Sequence, residues 1–166
     1  MAWNCNDAIM THDANQQGEW QGNSTDIALK RFCQSKQPAN PASIEHSIPF
    51  NSSTKWMAVK CSGDGKWLIK GAAEVLLSKA KNGKDSVLLQ GLESLYSRGL
   101  RVICLAKSDL PIDQNQIEIV GLLGLNDPCR SGMKEMCTAL GRARVQMVMI
   151  TGDARDCAQS VAAKIG

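Results

Sequence analysis

Apolar positions along this chain recur with two periods, and the period tells the elements apart. From Ser24 onward, Ile27, Ala28, Leu29, Phe32 and Cys33 return to one side at helical spacing, with Ser24 or Thr25 as the cap and Asp26 in the first turn. Lys55–Cys61 and Lys66–Lys70 read as strands joined by Ser62-Gly63-Asp64-Gly65, a strong hairpin turn. The second arm runs into a helix over 72–80, and another helix over 86–98 ends at Gly99. Two nearly continuous apolar strands follow, over 100–106 and 117–125. A helix over 131–142, a buried-type strand over 145–150 and a helix over 156–164 complete the pattern. Elsewhere the signal is weaker. Residues 1–10 fit a helix end or a short strand, 11–23 read as a polar loop, and 34–41 as a linker. Ile44–Phe50 reads as an irregular lead through Pro49 into the polar turn 51–54.

The order of elements gives a mixed α/β (α+β) class. A hairpin-rich part with flanking helices comes first, and 117–166 then reads strand, helix, strand, helix, the grammar of a parallel sheet with a right-handed crossover. With 166 residues and 43% hydrophobic composition the chain can bury a real core. A balance of 19 Lys+Arg against 16 Asp+Glu is too mild and scattered to point to nucleic acid. Seven cysteines with no C-x-x-C pair suggest thiols used as small hydrophobes in a reducing compartment, rather than disulfides or a zinc site. No signal peptide is expected at Met1–Asp7, and no run approaches a membrane span, so direct membrane insertion is not expected. The chain stops after a helix with no strand to close a sheet, which suggests a piece of something longer.

Candidate chemistry gathers at element ends. Lys70-Gly71 ends a strand. It reads as a strand-to-helix turn with a surface lysine, or as a phosphate contact with close backbone approach by a ligand. Arg101 at the start of an apolar strand needs a partner or a solvated strand end. Thr151-Gly152-Asp153, between a strand and a helix, suits a phosphate with its magnesium ion or a plain N-cap. G-x-G-x-x-G and G-x-x-x-x-G-K-[ST] loops are both absent, which disfavours a Rossmann-like enzyme and a P-loop enzyme. His12 and His46 have no nucleophile at a useful spacing. Trp56 and Trp67, on hairpin arms, read as a cross-strand packing pair rather than a base-stacking platform.

Six stretches, in order, resemble the cytosolic part of a P-type cation-transporting ATPase. Gly22–Leu29 is similar to G-E-x-T-E-x-A-L, Phe50–Met57 to F-S-S-x-x-K-x-M, and Trp67–Glu74 to the K-G-A-x-E segment. Gly99–Val102 is similar to G-L-R-V, Gly124–Arg130 to G-x-x-D-P-P-R, and Met149–Asp153 to M-I-T-G-D. Within the family, Pro49–Cys61 looks most like the secretory-pathway calcium pumps, which move calcium and manganese into the Golgi.

The resemblance implies an antiparallel-sheet nucleotide-binding domain over 1–124 and a partial phosphorylation domain of Rossmann-like (HAD-type) βαβα order over 125–166. It implies ATP and Mg2+ as cofactors, with Phe50 stacking on adenine and Asp26 near it. Lys55, Lys70 and Gly71 would line the pocket, and Arg101 would reach the phosphates. Asp127 and Arg130 would serve the hinge and nucleotide contacts, while Thr151 would approach the γ-phosphate, with Gly152 in the same nucleotide-binding loop and Asp153 supporting it. No residue of the chain is expected to ligate a metal by itself. Partners would be the actuator, phosphorylation and membrane domains of a cytosol-facing pump, with no nucleic acid. Departures are Asp26 for the longer glutamate, Asn23 for an acid and Cys129 for the second proline of D-P-P-R. The sequence has no D-K-T-G-T stretch with the aspartate that takes the phosphoryl group, so ATP binding without hydrolysis is expected. The alternative is a non-catalytic ATP-binding or regulatory module.

Overall fold

A computed structural model describes residues 1–12, 18–36, 42–109, 112, 116–126, 129–151 and 155–166. Its centre is a five-stranded antiparallel sheet formed by β3 (Ile44–Asn51), β4 (Trp56–Cys61), β5 (Trp67–Ala72), β6 (Arg101–Ser108) and β7 (Glu118–Leu125), side by side in chain order. Between β5 and β6 the chain makes α2 (Ala73–Lys79) and α3 (Ser86–Ser97). Asp85 caps α3, its carboxylate accepting from the amides of Val87 and Leu88. Gly99 ends that region with φ of 67°, a left-handed conformation that a side chain would disfavour.

Because side chains alternate along a strand, each strand serves two layers. Ala58, Ile69, Val102, Cys104, Ala106 and Ile119 face one side and pack with Ala73 and Leu76 of α2, with Leu88, Leu92 and Leu95 of α3 against them. Met57, Val59 and Cys61 face the other side and pack with Cys5 of the N-terminal segment. Above that second face lie α1 (Ser24–Ser35) and a small hairpin of β1 (Ile9–His12) and β2 (Gly18–Gln21). Lys30 ties this layer together. Its ammonium donates to the Trp3 carbonyl at 2.9 Å and lies 4.3 Å from the Trp3 ring centre, while Trp3 and Trp20 meet edge to face at 5.6 Å. Burial, with Lys70 adding to it, pulls the Lys30 pKa down, against the opposing influence of Cys33 and Asp26.

Helices α1 to α3, the hairpin and the strands over 100–106 and 117–125 stand where the pattern predicts, and buried Cys5, Cys61, Cys104 and Cys137 act as small core side chains. Four expectations are corrected. Residues 11–12 and 18–21, expected as loop, pair in a hairpin that begins at Ile9, where a short strand was one of two expectations, its inner segment 13–17 lying outside the described residues. Ile44–Asn51 is an edge strand, missed because nearly all its positions are exposed and because Pro49, which has no amide to donate, falls in the irregular stretch between Ile48 and Asn51. Trp56 and Trp67 share a face but not a position: Trp56 stands opposite Gly71 and Trp67 opposite Lys60.

The fourth correction concerns the C-terminal part. β7 joins the antiparallel sheet instead of opening a parallel unit, and Val145–Ile150 forms no strand ladder among the described residues. Val148 is 76% and Ile150 94% exposed, so an apolar run that reads as buried has no strand to pair with among the described residues. It connects α4 (Met133–Arg142) with α5 (Arg155–Ile165).

Candidate functional site

One end of the sheet carries most of the predicted site residues. Asn51 pairs with Trp56 across the β3–β4 turn, Trp56 with Gly71 on β5, and Gly71 with Cys104 on β6. Phe50 precedes that turn, Lys55 ends it, and Arg101 begins β6 opposite Leu125 at the same end. Phe50 lies in the register irregularity between Ile48 and Asn51, which turns the strand's last ring outward, 54% exposed. Lys55 closes the turn with φ of 60°, its amide donating to the Asn51 carbonyl at 2.7 Å. Its side chain, more than half exposed, reaches Glu74 at 3.4 Å, a pair solvated enough to exchange for another anion. Arg101 is exposed.

Gly71 is required by the neighbouring strand. A Cβ there would meet the Lys55 carbonyl oxygen at 2.7 Å and the Trp56 Cβ at 2.7 Å. The Ala72 amide donates to that same carbonyl at 3.0 Å, which holds the Lys55 turn against the end of β5. Close backbone approach, expected at this glycine, is thus between two segments of the chain.

Lys70 is not the surface lysine that the sequence also allowed. It sits opposite Met57 on the face that α1 covers, 5% exposed, and its ammonium pairs with Oδ1 of Asp26, itself 2% exposed. The pair forms the floor of the sheet end. Three further bonds hold the aspartate: Oδ2 accepts from the Asp7 amide at 3.1 Å and from Nδ2 of Asn23 at 3.1 Å, while the Asp26 amide donates to Oδ1 of Asn23 at 2.9 Å. Asn23, not Ser24 or Thr25, is the N-cap of α1. Its importance was legible in principle as an Asn-x-x-Asp spacing, the analogue of a capping box. Beside the pair, Cys5 bonds to the Met57 carbonyl at 3.6 Å; burial pushes its thiol up to about 12 against the opposing pull of Lys70, so it is inert at neutral pH.

The structure therefore brings Asp26, Phe50, Lys55, Lys70, Gly71 and Arg101 to one sheet end. Arg130 lies in the turn before α4, its carbonyl accepting from Met133, and Thr151 is exposed at the end of the run before α5, both off the sheet. Asp127, Gly152 and Asp153 lie outside the described residues. Among the described residues no group of three His, Cys, Asp or Glu could hold a metal ion, and no helix is long and apolar enough to cross a membrane.

The sheet is antiparallel and flanked by helices, with an exposed aromatic ring and cations at one end, and comparison with known proteins identifies the family. Residues 1–132 match the family model of the P-type ATPase cytoplasmic domain N, and the chain belongs to that family. It is 31% identical to calcium-transporting ATPase type 2C member 1 of Bos taurus over 98% of this chain and 18% of that protein. It is 35% identical to calcium-transporting ATPase type 2C member 2 of Rattus norvegicus over 72% of this chain and 14% of that protein. It is also 31% identical to the sodium/potassium exporting P-type ATPase cta3 of Schizosaccharomyces pombe, over 98% of this chain and 18% of that protein. The chain thus spans less than a fifth of the length of these relatives.

Proposed function

We propose that this chain is the ATP-holding part of a P-type calcium-transporting ATPase, and that ATP sits at the sheet end with adenine against Phe50. The observation that carries the reading is the grouping of an exposed ring at Phe50 with the exposed cations Lys55 and Arg101 above a buried acid–lysine floor. Each part fits one part of the nucleotide. A ring open on its face suits a purine. Lys55, paired with a solvent-exposed glutamate, and Arg101 supply positive charge for the phosphates. Lys70 acts at the base rather than the phosphates, since its ammonium is held by Asp26 on the floor. Mg2+ arrives with the phosphates, since it binds through one or two carboxylates plus substrate oxygens rather than in a protein cage.

In this reading residues 1–124 form the nucleotide-binding domain, and 125–166 belong to the phosphorylation domain. There Thr151 approaches the γ-phosphate from the loop it shares with Gly152, Asp153 supports that loop, and Asp127 and Arg130 serve the hinge and nucleotide contacts. The phosphoryl group passes to an aspartate that this sequence does not contain, and positioning and electrostatics supply most of the catalysis. Relatives named for calcium and for sodium/potassium export both match, so calcium rests on the two type 2C proteins, while a secretory-pathway membrane with this domain on its cytosolic side rests on the likeness of Pro49–Cys61 to the secretory-pathway calcium pumps. Calorimetric titration with Mg·ATP tests the site. The chain binds without releasing phosphate, and Phe50→Ala, at a 54% exposed position, weakens binding about tenfold or more with the fold intact. Unchanged binding by a folded Phe50→Ala chain contradicts the reading.

The exposed run Val145–Ile150 favours a second reading, a non-catalytic ATP-binding or regulatory module that covers the run with a partner. Limited proteolysis separates the two: resistance of residues 126–166 in the isolated chain supports the module, and rapid clipping supports the pump domain.

A further inference from the structure

The turn between β3 and β4 is closed from one residue. Asn51 pairs with Trp56, and the four residues between them form the loop. Oδ1 of Asn51 accepts from the Ser53 amide at 2.8 Å, while its carbonyl accepts from the Lys55 amide at 2.7 Å and from the Thr54 hydroxyl at 3.4 Å. Asparagine suits this place because its side-chain oxygen reaches the amide two residues on. At the far end of the loop Lys55 has φ of 60°, a left-handed conformation that glycine or asparagine adopts more readily than lysine. Such a conformation persists where its surroundings over-determine it. Here they do: Asn51 holds the Lys55 amide, the Ala72 amide donates to the Lys55 carbonyl at 3.0 Å, and Gly71 has no Cβ to push that carbonyl away. Phe50 is bonded directly to Asn51 on its other side, so one residue sets the path of the chain from the exposed ring to the exposed lysine.

We infer that Asn51 is a positioning residue that fixes Phe50 and Lys55 relative to one another, so that the base and the phosphates of one nucleotide are met together. The inference rests on the ATP-site reading above. Asn51 makes no contact with the nucleotide; it acts through the turn. Its contribution is to the linkage of two contacts rather than to either one. A ligand that engages both ends gains from their fixed spacing, and a ligand that engages one end does not.

The test uses the full chain with Asn51→Ala, a change at an exposed position, and three ligands in the presence of magnesium: ATP, adenosine and inorganic tripolyphosphate. Without ligand, exchange of the Lys55 amide proton speeds up about tenfold as the turn loosens. With ligand, ATP binding weakens about tenfold, while adenosine and tripolyphosphate each change by less than about twofold. Asn51→Ser keeps a hydroxyl that accepts more weakly from the Ser53 amide and is expected to lose about threefold, for ATP alone; it carries the test if Asn51→Ala does not fold. Unchanged ATP affinity in a folded Asn51→Ala chain overturns the inference. So does an equal loss for all three ligands, which a residue needed only for the shape of the pocket would give, or a loss in Asn51→Ser as large as in Asn51→Ala. A parent chain that binds no ATP refutes the ATP site itself, and that parent measurement tells the two failures apart.

Discussion

Replacing Lys70 by methionine separates a structural floor from a surface contact. Methionine has nearly the volume of the lysine stem, so packing against Met57 on the strand opposite is kept and only the charge is removed. The Asp26 carboxylate then remains buried, its side chain 3% exposed, with Asp7 and Asn23 as its neutral donors. Breaking a buried pair from one side costs about 3–5 kcal/mol because the remaining charge is uncompensated. For a chain of this size that lowers the melting temperature by about 6–20 °C, at 2–4 °C per kcal/mol. Urea unfolding followed by tryptophan fluorescence measures it, with an unchanged slope expected, since the same surface is exposed. Asp26→Asn on the Lys70→Met background recovers half or more of the loss, since the amide oxygen of the new side chain still accepts from the Asp7 amide without bringing a charge. A single-variant cost below about 1 kcal/mol, the worth of an exposed ion pair, refutes the buried floor.

Two further outcomes follow from the same geometry. Gly71→Ala places a Cβ 2.7 Å from both the Lys55 carbonyl oxygen and the Trp56 Cβ, and is expected to lower stability by about 1–3 kcal/mol in urea while displacing the Lys55 turn. Burial also raises the Cys5 and Cys104 thiols from 9.0 to about 12. Above pH 9 the unfolded chain loses these protons and the native chain keeps them. Stability therefore falls between about pH 9 and 12, by up to about 1.4 kcal/mol per pH unit for each thiol. Cys104→Ala removes one thiol's share of that slope, and an unchanged slope counts against burial as the cause.

Much of the fold was legible because its signals are local. The Ser62–Gly65 turn, the helical spacing from Ile27 to Cys33 and the apolar runs on either side of Pro111 each carry their own chemistry. The misreadings share one physical cause: pairing depends on what lies alongside. Among the described residues β3 has a neighbour on one side only, so its sequence Ile44-Glu45-His46-Ser47 carries no alternation and relies on β4, including a Lys60–Glu45 ion pair at 3.4 Å, to hold it extended. Val145–Ile150 has strand composition and no adjacent strand among the described residues. At the site, Lys70 and Arg101 stood out from their own places at strand ends, the resemblance supplied Phe50 and Lys55, and the structure groups all four at one sheet end. The pairing of Lys70 with Asp26 across α1 and β5 could not be read from positions 44 residues apart, since it depends on which face of β5 the helix covers.

The central claim is that this sheet end holds ATP through Phe50, and amide NMR during an ATP titration tests it most directly. The account predicts shifts clustered at Phe50, Lys55, Lys70, Gly71 and Arg101, and their loss in Phe50→Ala. A folded chain that shows no shifts at millimolar ATP, or the same shifts without Phe50, contradicts it.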